Sequence, residues 1–477
     1  MKNSKLIRII SVLKKEEQLP LAEYLKQQFI PKRQDLWLFF QCVKNNLLKK
    51  EENSLTKEVI FKYLFPKHSY NDGKMRKMMH ELLQEIETFF MKAEANKPFV
   101  QEKQLLEFYF AHYSNKDTSE MLAKIVQKLD NYPAQDLLYW ETKTQVEIYK
   151  SYEMAMQYVF KNNMNIPNII ENQKIVFFIQ HLKQYFMLLG NQNLAKEIPI
   201  QPFFYHILEE IKANPTYLTI DLISVYYYAV QLFLDKENNI AFEKLRQLIV
   251  KQSPILTHTE WANLAFALRN YANEQKAFDV SFELIHFELY FEHLPLGFVF
   301  SNNHISPQTF VSIVKIGAEL GKTEKIRGFF EDYQAYLPIE IKHNTLLLAE
   351  AYLLFEGKLY DASLQKLHLL EKFEHYTFEL DMRMLKIQNA CVLKETQFCL
   401  QQVNTFRVYI HRNEKMSENR KEKYLNFLKY ISQYWELAAQ DKAEKRTLLE
   451  EIKMCDTLIM KKWLLGFVHE SVGTKIK

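Results

Sequence analysis

The sequence predicts an all-α protein: an N-terminal helical unit followed by an α-solenoid of antiparallel helix pairs. Three observations carry this expectation. Only 9 of the 477 residues are Gly, under a third of the roughly 7% usual in proteins. Hairpin turns and phosphate-cradling loops draw on Gly because it alone enters positive φ without steric cost. The 35 Phe, 27 Tyr and 5 Trp fall at helical spacing rather than in strict alternation. Finally, a single core stops growing at roughly 250–300 residues, so the chain must divide or extend, and its second half carries turn signals at a regular interval.

Bulk properties narrow the class further. A hydrophobic content of 48% with 25% charged residues is ordinary for a packed protein and excludes global disorder. The net charge of +4 is small, but residues 1–100 carry 19 Lys and Arg against 12 Asp and Glu, a balance of +7, which leaves about −3 for the remainder. Cys42, Cys391, Cys399 and Cys455 form no CxxC pair and have no His at ligand spacing, so reduced thiols are expected rather than a disulfide framework or a metal site. Arg8, Lys14 and Lys15 interrupt the apolar residues at the start, unlike a signal peptide. Leu222 to Leu234 is apolar but short of the roughly 20 residues a membrane span needs. A cytoplasmic location is expected.

Residues 1–95 read as a basic helical unit. Leu6, Ile9, Ile10 and Leu13 share one helical face. Asp35 opens a second helix with Trp37, Phe40, Val43 and Leu47 at helical spacing. A short helix begins at Leu55-Thr56-Lys57-Glu58 and closes at Phe65-Pro66. Asn71 and Asp72 cap a long helix whose inner face is Met75, Met79, Leu82, Ile86 and Phe89. Two helices joined by the turn from Pro66 to Asp72 suit a helix-turn-helix core.

Residues 96–215 form an irregular helical array. Asn115-Lys116-Asp117 reads as a turn. Pro133 starts a helix running to about Lys161, and Asn162, Asn163, Met164, Asn165 and Pro167 break it. Lys174 to Leu189 is so apolar that burial on more than one side is expected.

From 216 to 411 a period emerges. Ala241, Ala277, Ile326 and Ala362 follow helix–helix turns at spacings of 36, 49 and 36 residues. The long interval contains an insertion from Leu294-Pro295-Leu296-Gly297 to His304, and removing it restores about 36, within the range of helix-pair arrays. Another turn falls at Lys394-Glu395. Residues 412–477 are expected to cap the array through amphipathic helices at Lys423–Glu436 and Lys442–Lys453, since a terminal repeat must show a wet face, with Ser471 to Lys477 frayed.

Gly357-Lys358-Leu359-Tyr360-Asp361-Ala362 resembles the inter-helix turn of a tetratricopeptide repeat, with Ala349, Tyr352 and Leu353 where that repeat places small and aromatic packing residues. Asn273 to Ala277 and Gly321 to Ile326 are fainter versions, and Ile326 departs from the small residue of the pattern. The resemblance covers residues 222–411. It implies a groove lined by the first helix of each pair, with Tyr226, Phe266, Arg269, Asn270, Gln308, Lys315 and Asn344 exposed along it to hold a protein or peptide segment. The run from Leu55 to Phe90 also resembles part of a family of large, uncharacterised bacterial helical proteins, which implies no activity.

Catalytic signatures are weak. Gly317, Gly321, Lys322 and Thr323 imitate a phosphate loop, but three residues rather than four separate the glycines, and a helical rather than a strand pattern precedes them. Gly321 reads instead as a helix C-cap. His286 and His293 lie seven apart on one helix with no third ligand and read as structural. The pairs Glu16-Glu17, Glu51-Glu52 and Glu450-Glu451 are sequence neighbours, which point about 100° apart on a helix and cannot act together as acid and base. Tyr226-Tyr227-Tyr228 and Phe287, Tyr290 and Phe291 read as core rather than as stacking platforms. No cofactor, no metal and no enzymatic activity is expected. The alternative reading is a DNA-associated regulator, with Lys62, Lys67, Lys74, Arg76 and Lys77 around the helix-turn-helix as nucleic-acid contacts.

Overall fold

The computed structural model describes residues 4–13, 15–30, 32–48, 56–112, 115–156, 165–191, 199–235, 238–276, 278–301, 303–370, 376–437 and 442–472. Ala277, Leu55, Lys14, Asn162 to Met164 and the pair Glu51-Glu52 lie outside them. The fold is all-α: 23 α-helices and one two-stranded ribbon are found among the described residues. Two compact units are present. The first comprises Met1–Pro133 and Leu138–Val176, the second Ala134–Leu137 and Phe177–Lys477. The unit therefore changes inside a helix, and the expected boundary at residue 215 lies within the second unit.

In the first unit, α1 (Lys5–Val12), α2 (Lys15–Phe29), α3 (Gln34–Leu48), α4 (Lys57–Leu64) and α5 (Asp72–Ala95) close around one core of Leu21, Leu25, Phe39, Phe40, Phe61, Met75 and Leu82. Ser4, Thr56 and Asn71 cap α1, α4 and α5 by accepting backbone N–H groups with their side chains, which satisfies donors a helix start leaves open. On α5 the buried face is Met75, Met78, Leu82 and Ile86; Met79 and Phe89 sit half-buried at its edge. Arg33 ties the α2–α3 corner to α5 through Asp35 at 3.0 Å and Glu81 at 2.6 Å. A smaller core around Phe99, Leu106, Leu122 and Ile125 is built by α6 (Val100–Ala111) and α7 (Asn115–Asp130), with Val146 of α8 (Leu137–Met156). Asn115 to Asp117 are the first turn of α7 rather than a turn before it, and α8 begins four residues after Pro133. α9 (Ile166–Asn191) is one helix. Pro167 lies in its first turn, which needs no N–H donor, and the break expected there does separate α8 from α9. Phe178, Leu182, Phe186 and Leu189 form its buried stripe, while Gln180, Gln184 and Met187 are exposed, so burial here is one-sided.

The second unit continues with α10 (Pro202–Ala213), a 3-10 turn at Pro215–Thr219, and then helix pairs. These are α11 (Asp221–Leu234) with α12 (Asn239–Lys251), α13 (His258–Gln275) with α14 (Ser281–His293), α15 (Pro307–Glu319) with α16 (Thr323–Tyr333), α17 (Ile339–Glu356) with α18 (Tyr360–His368), α19 (Tyr376–Val392) with α20 (Thr396–Arg412), and α21 (Glu418–Glu436) with α22 (Lys442–Met454). The two helices of each pair pack on one another, and the first helices of some neighbouring pairs also meet: α11 on α13, α15 on α17, α17 on α19. The insertion after α14 holds a small antiparallel ribbon, β1 (Phe300–Ser301) with β2 (His304–Ile305), in which Phe300 faces Ile305. A last helix, α23 (Lys461–Val472), forms where the sequence reading stopped at capping helices; Ser471 belongs to it.

The repeat is visible in the turns. Gly321, Lys358 and Lys394 each adopt left-handed backbone, with φ of 66°, 61° and 59°. In each turn the following residue donates its N–H to the carbonyl five residues back along the chain: Lys322 to Gly317 at 2.8 Å, Leu359 to Leu354 at 2.8 Å, Glu395 to Ala390 at 2.9 Å. This is the Schellman closure that satisfies the last carbonyls of a helix. Gly321 therefore ends α15 as expected. Gly357 does not take the left-handed position; Lys358 does.

Small residues also fall differently from the tetratricopeptide pattern. Ser363, not Ala362, is fully sealed. Its hydroxyl donates to the Ala351 carbonyl at 2.8 Å and accepts from Asn389 at 3.1 Å, joining α17, α18 and α19. Ile326, where a small residue was expected, is fully buried because the small residue is on the facing helix: a Cβ at Gly317 would lie 2.3 Å from Ile326 Cδ1 and 2.7 Å from Phe287 Cε2.

Candidate functional site

The first helices of the second unit carry most of the residues expected to line a groove, and the structure divides them. Tyr226 on α11 is buried, not exposed. Its hydroxyl donates to Glu260 at 3.3 Å, and Glu260 also takes Lys183 at 2.5 Å and closes a capping box with Thr257 at the start of α13. Burial, followed by the Glu260 charge, pushes the Tyr226 phenol far above its ordinary range. Tyr226 is thus a strut between α11 and α13.

Arg269 on α13 is likewise buried. It donates to His293 Nδ1 at 2.7 Å and to the Phe298 carbonyl at 3.3 Å, and its guanidinium lies 5.3 Å from the Tyr290 ring centroid. Because Arg is always a donor, His293 must accept at Nδ1 and carry its proton on Nε2. Burial holds His286 and His293 down at about 3 and Arg269 down at about 10. Both imidazoles are neutral and buried on α14, and His293 with Arg269 links α13, α14 and the segment before the ribbon. The exposure expected for Tyr226 and Arg269 fails for one reason. In an array both faces of a first helix are used, one against its partner and one against its neighbours, and a period in the sequence does not say which polar residue falls inward.

Of the other five residues, two are exposed and three are half-buried. Phe266 and Asn270 are exposed on α13. Gln308 on α15 donates to Thr377 at 3.2 Å and so links α15 to α19. Asn344 on α17 is half-buried, and its Oδ1 has no hydrogen-bond partner. Lys315 on α15 lies 5.2 Å from the Tyr352 ring centroid and 3.9 Å from the sulfur of Met460.

Around Lys315 the structure assembles charges that sequence reading missed. Glu319 ends α15 and Glu356 ends α17, each two residues before its left-handed turn residue. Burial pushes the Glu356 carboxyl up, and the Glu319 charge adds to this while Lys315 opposes it. On α19, burial raises the Asp381 carboxyl against the pull of Lys315 and of Arg420 on α21. Burial lowers Lys276; the charges of Glu319 and Glu283 oppose this and those of Lys315 and Lys462 add to it. Tyr352 and Tyr424 are buried beneath these groups. The shared register of Glu319 and Glu356 was a readable signal; Asp381 and Arg420 carried none. Chemically the cluster sets Glu319, Glu356 and Asp381 against Lys315 and Arg420, with Lys315 over the Tyr352 ring.

The basic residues of the first unit, Lys62, Lys67, Lys74, Arg76 and Lys77, are all exposed. Three are engaged locally: Lys74 lies 3.5 Å from the Phe65 ring centroid, Arg76 pairs with Asp72 at 2.6 Å and Lys77 with Glu81 at 3.9 Å. Asp72 also accepts from Lys57 and Tyr70. Among the described residues no helix is long and apolar enough to cross a membrane. No protein family, curated protein or solved structure matches this chain.

Proposed function

We propose that the protein is a non-enzymatic scaffold whose second unit is a tetratricopeptide-like array, and that the stacked first helices hold a protein or peptide segment. The observation that carries this reading is the recurrence of one turn geometry at Gly321, Lys358 and Lys394, with the first helices on either side packed on one another. Such stacking leaves one long face formed by successive first helices, and helical arrays use that face to bind extended or helical ligands. Phe266, Asn270, Gln308, Lys315 and Asn344 supply apolar contact, amide donors and acceptors, and one cation along it. The local pairing of Arg76, Lys77 and Lys74 favours this reading over DNA recognition, which draws on uncommitted cations.

Selection of displayed helical peptides against the full chain tests the proposal. Binders are expected, and Gln308→Ala with Asn344→Ala should weaken them about tenfold, as loss of central contacts does. Binders insensitive to these changes and to Phe266→Asp would remove the face from consideration.

A further inference from the structure

The longest-range contacts of the second unit are made by its last segment. Lys462 of α23 pairs with Glu283 of α14 at 2.7 Å, across 179 residues of sequence. Met460 places its sulfur 3.9 Å from Lys315 of α15, across 145 residues. Glu470 lies within electrostatic reach of Tyr360 at the start of α18. Trp463 packs against both apolar cores of the unit, the one built by α14 to α19 and the one built by α19 to α23.

A helix whose only task was to cap the last pair would need contacts with α21 and α22. It would not need to reach α14 and α15. α23 does both. Leu464 and Val468 are fully buried against the last pair. Trp463 and Phe467 stack on one another with centroids 5.3 Å apart, and Trp463 stands 6.1 Å from Phe427 while Phe467 stands 4.7 Å from Tyr434. The segment leading into α23 is tied down along α21: Asn426 donates to the Thr457 carbonyl at 2.8 Å, and Thr457 donates to Glu422 at 3.2 Å.

We propose that residues 460–472 are a resident occupant at the edge of the binding face, where α14, Lys315 of α15 and the start of α18 receive them, and that the partner is an amphipathic helix of the same chemistry. Such a helix carries a lysine immediately before an aromatic–aliphatic stripe at positions i, i+1, i+4 and i+5, as Lys462 precedes Trp463, Leu464, Phe467 and Val468. This rests on the scaffold reading above and adds the identity of the ligand class. Glu283 takes the lysine, and Glu319 and Glu356 extend the acidic edge. Trp463 covers the apolar surface between the two cores, and Phe467 packs on the last one. A partner helix must displace α23 to engage, so occupancy by the chain's own helix sets the threshold for binding.

The test uses the full chain and a fluorescein-labelled peptide of residues 456–472, read by anisotropy. Lys462→Glu alters a side chain that is 80% exposed, so it leaves the core intact while placing a carboxylate against Glu283. This variant should bind the peptide about three- to tenfold more tightly than the native chain, the range expected for loss and reversal of one partly exposed ion pair. Trp463→Ala in the chain should raise affinity further, and a peptide carrying Lys462→Glu should lose the gain. Equal affinity for the native chain and for Lys462→Glu overturns the inference, as does equal affinity for Trp463→Ala once its thermal melt shows a folded protein. If the 456–472 peptide fails while selected helices bind with dependence on Gln308 and Asn344, the scaffold reading stands and the present inference falls. If no helix binds any form, both fall.

Discussion

At the scale of single residues, Gly317 shows how a departure from a repeat pattern is accommodated. Ile326 occupies a position that a tetratricopeptide turn gives to a small residue, and the volume is recovered on the opposite helix. Because Gly317 is buried with Ile326 and Phe287 against it, Gly317→Ala forces contacts well inside van der Waals range. Over-packing of this kind costs about 1–3 kcal/mol, enough to lower the midpoint of a urea unfolding curve measurably. Gly328, with nothing within 4 Å of an added Cβ, gives the control: Gly328→Ala lies inside α16 and should be neutral to stabilising. Arg269 and Tyr226 teach the complementary lesson. Each was read as a groove position from the register that the tetratricopeptide resemblance implies, and each is a strut whose partners, His293 and Glu260, lie 24 and 34 residues away. No local pattern encodes such a pairing.

At the scale of elements, helices and their ends were largely legible. Asn71 caps α5 and Gly321 closes α15 because those side chains, or the lack of one, do local work that the sequence displays. The turns at Lys358 and Lys394 were placed correctly, but their left-handed residues were not identified, since Lys in that conformation is held there by the hydrogen bonds around it rather than by its own preference. Replacing Lys358 or Lys394 with Gly should therefore stabilise the protein by about 0.5–1 kcal/mol each. The relief of left-handed strain outweighs the added freedom of the unfolded chain, and the shift in the denaturation midpoint is the readout. α23 went unread for a different reason. Lys461, Lys462, His469 and Glu470 lend the segment the polarity of a frayed end, and the stripe of Trp463, Leu464, Phe467 and Val468 is short. What makes it a helix is the tertiary surface it covers, in keeping with the marginal stability of isolated helices of 12 residues.

At the scale of the whole molecule, the scarcity of Gly and the wealth of aromatic residues led correctly to helices packed on helices. The rings of Phe287, Phe310, Phe329, Tyr352 and Phe355 form one continuous core through α14, α15, α16 and α17, and each fully buried Phe contributes about 1.5–3 kcal/mol. The charge asymmetry of the sequence is equally real: Asp72, Glu81 and Asp35 pair with Arg76, Lys77 and Arg33 within the first unit, but these acids are already counted in its balance of +7. The central claim is that the first helices of the second unit form a face for a helical ligand and that α23 sits at its edge. Hydrogen–deuterium exchange of the full chain, with and without a selected helical peptide, tests this most directly. Slower exchange on α15, α17 and α19 together with faster exchange on α23 is the predicted result. Protection confined to the first unit, or protection of the second unit with α23 unchanged, would contradict it.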